Sequence, residues 1–145
     1  IDASKADFLF LAALLQETGK ILIADEIVKN DEMYQFRSEI ENCTNIADVE
    51  KMFVRMTSSE VAGLIFKHWK FDEKMVQAIE YSDVLGVAPL EVRPYAVALK
   101  VVKTAVPINA PLSERSINLA LNIIDKEKLD KQAFLDAVTK LKEYY

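Results

Sequence analysis

Glycine, proline, cysteine and histidine are all scarce in this chain: three, four, one and one among 145 residues. So few glycines and prolines leave little material for tight hairpin turns, which disfavours a strand-rich fold. The single cysteine, Cys43, excludes an internal disulfide and fits a reducing cytoplasm. Only polar neighbours flank it, and they give no reason for an activated thiol. One histidine, His68, excludes a transition-metal site built mainly on imidazole, and no nucleophile is spaced to partner it in a triad. His68 falls in the last turn of an expected helix, where a partial positive charge is favourable, so a structural or solvated role suits it best. There is no glycine-rich phosphate loop and no nucleophile elbow. The longest apolar run, Phe8 to Leu15, is too short to cross a bilayer and lacks the flanks of a signal peptide. Net charge is −5, and no Lys/Arg cluster with interleaved aromatics stands out, which argues against nucleic acid as a partner.

What is present is a folded domain. Hydrophobic residues make up 51% and charged residues 28%, the ordinary balance of a soluble globular protein. A single domain of this length buries about 68–70% of its unfolded surface. The chain begins at Ile1, not Met, which suggests a piece of something longer.

The apolar spacing is helical throughout. Phe8 to Leu15 (FLFLAALL) is apolar on every face, as in a helix covered on several sides. Gly19 interrupts it, and ILIADEIV resumes as far as Asn30 and Asp31. Met33 to Ile40 is a short amphipathic segment, and Ile46, Val49, Met52 and Phe53 mark another. Thr57 with Glu60 forms a capping box opening a helix to about Trp69. Asp72 caps the next, with Met75, Val76, Ile79 and Tyr81 apolar. Gly86 and Pro89 mark a loop. Tyr95, Ala98, Leu99 and Val102 form a stripe that stops at Pro107. Ser113 caps a helix through Ile117, Leu121 and Ile124, and Asp130 caps the last, with Phe134, Val138 and Leu141 inward. No segment alternates with period two. The expectation is an all-α single domain over 1–145, a bundle of about seven to eight helices.

Candidate chemistry is thin. Glu17, Glu60 and Asp83 could form a carboxylate site for a hard cation such as magnesium or calcium, but charged residues at helix ends are more often caps. Trp69 and Phe71, beside Ile65 and Phe66, read as core aromatics rather than a binding pair. The stretch LLQETGKI (Leu14 to Ile21) has the frame of a helix-borne metal site without its ligands.

Set beside TSSEVAGLIFKHW (Thr57 to Trp69) and FDEKMVQAIEYSD (Phe71 to Asp83), that stretch resembles the HDOD family, non-catalytic relatives of the HD-superfamily metal phosphohydrolases. Family members show a leucine pair followed by His-Asp-x-Gly-Lys, then a His with a Trp eleven residues on, then a helix ending in Ile-x-Tyr-His-His. Leu14, Leu15, Gly19 and Lys20 match the first motif. Glu60, Val61 and Trp69 match the second, and Ala78, Ile79 and Tyr81 the third. Every metal-type position departs from the pattern: Gln16 stands for His, Glu17 for Asp, Ser58 for His, and Ser82 with Asp83 for the His pair. Asp72 replaces a helix-starting Pro, and Ala62 a glycine, with Gly63 one step later. The resemblance covers roughly Phe8 to Ala105, and suggests the C-terminal two-thirds of such a domain without its first helices.

The resemblance implies a non-catalytic cytoplasmic domain of bacterial signalling that acts through protein contacts. It implies a degenerate metal site, with Gln16, Glu17, Ser58, Ser82 and Asp83 converging but holding no metal or cofactor, since amides and hydroxyls are weak ligands beside imidazole. Two alternatives stay open: a divergent phosphohydrolase working through carboxylates, and a sensor of a small ligand such as a nucleotide. Gly19 is expected to supply a permissive turn conformation, and Trp69 to be a buried anchor. With its covering helices absent, Phe8 to Leu15 should leave an apolar patch that favours a homodimer.

Overall fold

The computed structural model describes residues 3–144 of the chain. Among the described residues, regular structure consists of nine α-helices and two short 3₁₀ turns, with no strand. The helices are α1 (Ala3–Leu15), α2 (Gly19–Lys29), α3 (Met33–Asn42), α4 (Ile46–Val54), α5 (Ser58–His68), α6 (Glu73–Glu80), α7 (Arg93–Ala105), α8 (Glu114–Glu127) and α9 (Lys131–Lys142). The 3₁₀ turns, Tyr81–Asp83 and Leu85–Val87, follow α6.

The all-α class read from the sequence holds, and the local reasons are visible at the helix starts. Thr57 Oγ1 accepts the Glu60 N–H at 3.1 Å while Glu60 Oε2 accepts the Thr57 N–H at 2.8 Å, closing the capping box. Asp72, Ser113 and Asp130 accept the N–H of the third residue on, at 3.0, 3.1 and 3.0 Å. Each satisfies an amide that the first helical turn leaves open. At the other ends, Arg55 after α4 and Lys128 after α8 adopt the left-handed conformation that commonly closes a helix.

The chain groups into two compact units, residues 1–99 and 100–145. The core of the first is built from Ala12 of α1, Ala62 and Phe66 of α5, Met75, Val76, Ala78 and Ile79 of α6, and Val92 and Leu99. The α5–α6 pair is its most extensively packed interface. The second unit has a smaller core of Val101, Ala105, Ala120 and Ile124, with Leu121 and Phe134 against it.

Three expected core positions on α4, α7 and α9 are exposed instead. Val102 lies about 100° round the helix from the buried row of Val97, Val101 and Ala105. Leu141 occupies the last turn of α9, one turn past the buried Val138. Met52 faces out while Glu50, on the inward face with Ala47, is buried.

Candidate functional site

The positions matched to the family's metal-type residues lie where three helix ends meet the core of the first unit. A turn of Gln16 to Thr18 joins α1 to α2, held by Gln16 N–H to Ala12 O (2.9 Å) and Thr18 N–H to Leu15 O (3.0 Å). Gly19 opens α2 rather than forming a loop, and no glycine in the chain has positive φ. The expected role of Gly19 is therefore corrected. What matters is its missing side chain, because a Cβ there would sit 1.9 Å from the Ser58 carbonyl oxygen and 3.0 Å from the Ala62 nitrogen. The α1–α2 corner thus presses backbone against backbone on the start of α5, an approach that only glycine permits.

The structure pairs Ser82 with Ser59 rather than with Ser58. Their hydroxyls are 3.1 Å apart, both residues are fully buried, and Ser82 Oγ also donates to the Ile79 carbonyl at 2.8 Å. This bond ties the 3₁₀ turn after α6 to the first turn of α5. Ser58 is buried, and its backbone N–H donates to Glu50 Oε2 at 2.7 Å. A carboxylate at a helix N-terminus is well placed for the open amides and the positive end of the helix dipole. Here the protein's own Glu50 fills the position that a bound anion would take.

The remaining candidates have separate fates. Gln16 is 2% exposed, and its Oε1 has no hydrogen-bond partner. Glu17 turns back to an ion pair with Lys20 one turn along. Glu60 is committed to the capping box, and its other oxygen lies 3.2 Å from Lys51 Nζ. Asp83 is half-buried on the 3₁₀ turn. Among the described residues no three His, Cys, Asp or Glu side chains gather as a metal cluster, so Glu17, Glu60 and Asp83 are not brought together as a carboxylate site. Ile79 is fully buried, and Tyr81 packs partly buried against the core.

Trp69 is not the buried anchor expected: it is 62% exposed. The last inward position of α5 belongs to Phe66, 1% exposed. Trp69 comes after the final helical residue and lies against the Phe66 ring, centroids 6.0 Å apart. Sequence reasoning also missed Glu50 and Ser59. Glu50 had a legible signal, since it falls on the apolar face of α4 between Ala47 and Phe53. Ser59 had none.

The chain matches the HDOD domain family over residues 1–85, more than half its length, and it belongs to that family. Among curated proteins, none matches it. Among solved structures, it resembles a virulence factor from Campylobacter jejuni subsp. jejuni, with a TM-score of 0.60 and 19% identity over 81% of this chain. That likeness supports the fold alone. The chain spans 44% of that structure's length.

Proposed function

We propose that this HDOD chain is a non-catalytic regulatory domain of bacterial, cytoplasmic signalling, acting as one domain over 1–145 through protein contacts. Its vestigial metal site has become structural. Gln16, Ser58 and Ser82 stand where the family carries imidazoles, and the surrounding polar groups bond one another: Glu50 with Ser58, Ser59 with Ser82, and Glu17 with Lys20.

One observation carries the interaction reading. The outer faces of α1 and α2 present Phe10 (68% exposed), Leu14 (62%) and Ile21 (69%), with Leu11, Leu22 and Val28 also exposed. Phe10 and Leu14 are one helical turn apart and Ile21 and Val28 two turns, so they form rows rather than scattered residues. Apolar rows on a folded surface mark sites for another chain. No helix is long and apolar enough to cross a membrane among the described residues.

A second copy of the chain is the occupant tested first. Sedimentation equilibrium should show concentration-dependent self-association that Phe10→Glu/Leu14→Glu removes while helicity is unchanged. A strict monomer at high concentration would overturn the homodimer. Phosphatase or phosphodiesterase activity lost in Glu17→Ala would overturn the non-catalytic reading.

A further inference from the structure

The α5–α6 corner, Leu64 to Phe71, carries a second surface of different chemistry. Trp69, Phe71 (40% exposed) and Leu64 (56%) all reach solvent. The Trp69 and Phe71 rings lie 6.4 Å apart, and both rest on the buried Phe66, at 6.0 and 5.1 Å. These aromatics are fixed rather than dangling. Trp69 N–H bonds to Ile65 O and Phe71 N–H to Phe66 O, each at 3.0 Å, and Lys70 between them is left-handed with φ 58°. A rigid aromatic pair loses little side-chain freedom on binding, which makes it a good anchor for a partner.

The same corner carries two lysines, Lys67 and Lys70, on a molecule of net charge −5. Lys67, His68 and Lys70 are exposed, and among the described residues their side chains engage no carboxylate. The acids that follow, Asp72 and Glu73, keep their charge but are hydrogen-bonded to α6 itself, and Lys74 comes directly after them. Asp72 caps α6 through Met75 N–H (3.0 Å), and Glu73 accepts from Gln77 Nε2 at 3.3 Å. Basic and aromatic side chains thus share one surface at a place where the sequence predicts core aromatics.

We infer that this corner docks an acidic protein segment bearing one aromatic or aliphatic anchor. The anchor packs on Trp69 and Phe71, and the acidic flanks meet Lys67, His68 and Lys70. Charge complementarity selects this occupant over the extended polyanions. A nucleic acid or an anionic membrane would face the whole acidic molecule, whereas a short segment feels chiefly charges within a Debye length, about 8 Å in physiological salt. The inference extends the protein-contact reading to a second surface and rests on it only in taking the partner to be protein.

Random twelve-residue peptides selected on the wild-type protein, with counter-selection on Lys67→Glu/Lys70→Glu, provide the test. The enriched peptides should combine Asp or Glu with Phe, Tyr, Trp or Leu. A synthetic member of that set should shift the emission of Trp69, the single tryptophan, to the blue. Its affinity should fall at least about tenfold in the charge-reversed variant and about tenfold in Phe71→Ala. Phe10→Glu/Leu14→Glu should leave it intact, so failure here and failure of the α1–α2 reading are separable. Circular dichroism should show each variant folded. The inference is overturned by no enrichment, by enrichment of peptides without acidic residues, or by peptide affinity unchanged on charge reversal. An equal blue shift with phosphatidylserine vesicles or oligo-dT would also overturn it.

Discussion

Glu50 Oε2 accepts the backbone N–H of Ser58 at 2.7 Å, and both residues are withdrawn from water. A carboxylate from α4 thereby fixes the first turn of α5, on which Gly19 and Ser82 also converge. Glu50→Ala would leave a buried N–H unpaired, which costs about 1–3 kcal/mol, and would add a cavity. Glu50→Gln keeps an acceptor in place and should cost less than Glu50→Ala. Urea titration of both variants checks the order. Equal losses would mean that the charge, not the acceptor, holds α5.

The glycines should separate by what their missing Cβ would meet. Gly19→Ala collides with the Ser58 backbone, which cannot swing aside, so a loss above about 2 kcal/mol is expected. At Gly63 the obstruction is the Glu80 side chain, with Cγ 2.1 Å from the added carbon. That side chain can rotate, so the loss should be smaller. Gly86 has nothing within 4 Å and no positive φ, and Gly86→Ala should be neutral or stabilise by about 0.4–1 kcal/mol. Thermal denaturation of the three variants would show the ranking.

Phe66 and Trp69 should exchange the importance that size alone suggests. Phe66→Ala empties a fully buried site and should cost about 3–5 kcal/mol. Trp69→Ala removes a ring already mostly in water and should cost less than about 1.5 kcal/mol. Denaturant midpoints that placed the two variants together would argue for Trp69 as a core residue.

These cases also show how far residues speak for themselves. Helix starts were legible because a cap needs only a side chain and an amide three residues on, a purely local rule met at Thr57, Asp72, Ser113 and Asp130. The family frame was legible too, since Leu14, Gly19, Lys20, Glu60 and Tyr81 keep their order and spacing. Burial at helix ends was not. Whether Trp69 or Phe66 fills the core depends on where α5 stops relative to α6, which no local pattern encodes. The Ser59–Ser82 bond joins positions 23 residues apart, and the close approach at Gly19 depends on packing between helices distant in sequence.

The left-handed helix ends offer a different kind of test. Arg55 and Lys128 sit at φ 63° and 54°, where a side chain is strained by about 1 kcal/mol and glycine is not. Glycine also loses more freedom on folding, so the net gain is smaller than the strain. Arg55→Gly and Lys128→Gly should each be neutral to stabilising by about 0.5 kcal/mol. The control is Lys126→Gly, inside α8, which should cost about 1 kcal/mol. Losses at Arg55 and Lys128 equal to the control would mean that these side chains make contacts worth more than their backbone strain.

Gln16 gives the last prediction, because its buried Oε1 has no partner. Gln16→Met keeps the length and volume of the side chain but removes the acceptor that stands unpaired in the core. An unsatisfied buried polar group costs about 1–3 kcal/mol, part of which is recovered when it is deleted. The amide nitrogen is lost as well, so the expected net gain is about 1 kcal/mol, read as a higher denaturant midpoint with an unchanged slope. A loss of similar size would show that the amide oxygen is satisfied in solution by an ordered water held beside it. Gln16→Glu separates the two cases further. A carboxylate buried without a cation should destabilise strongly near neutral pH and less in mild acid, where protonation removes the charge.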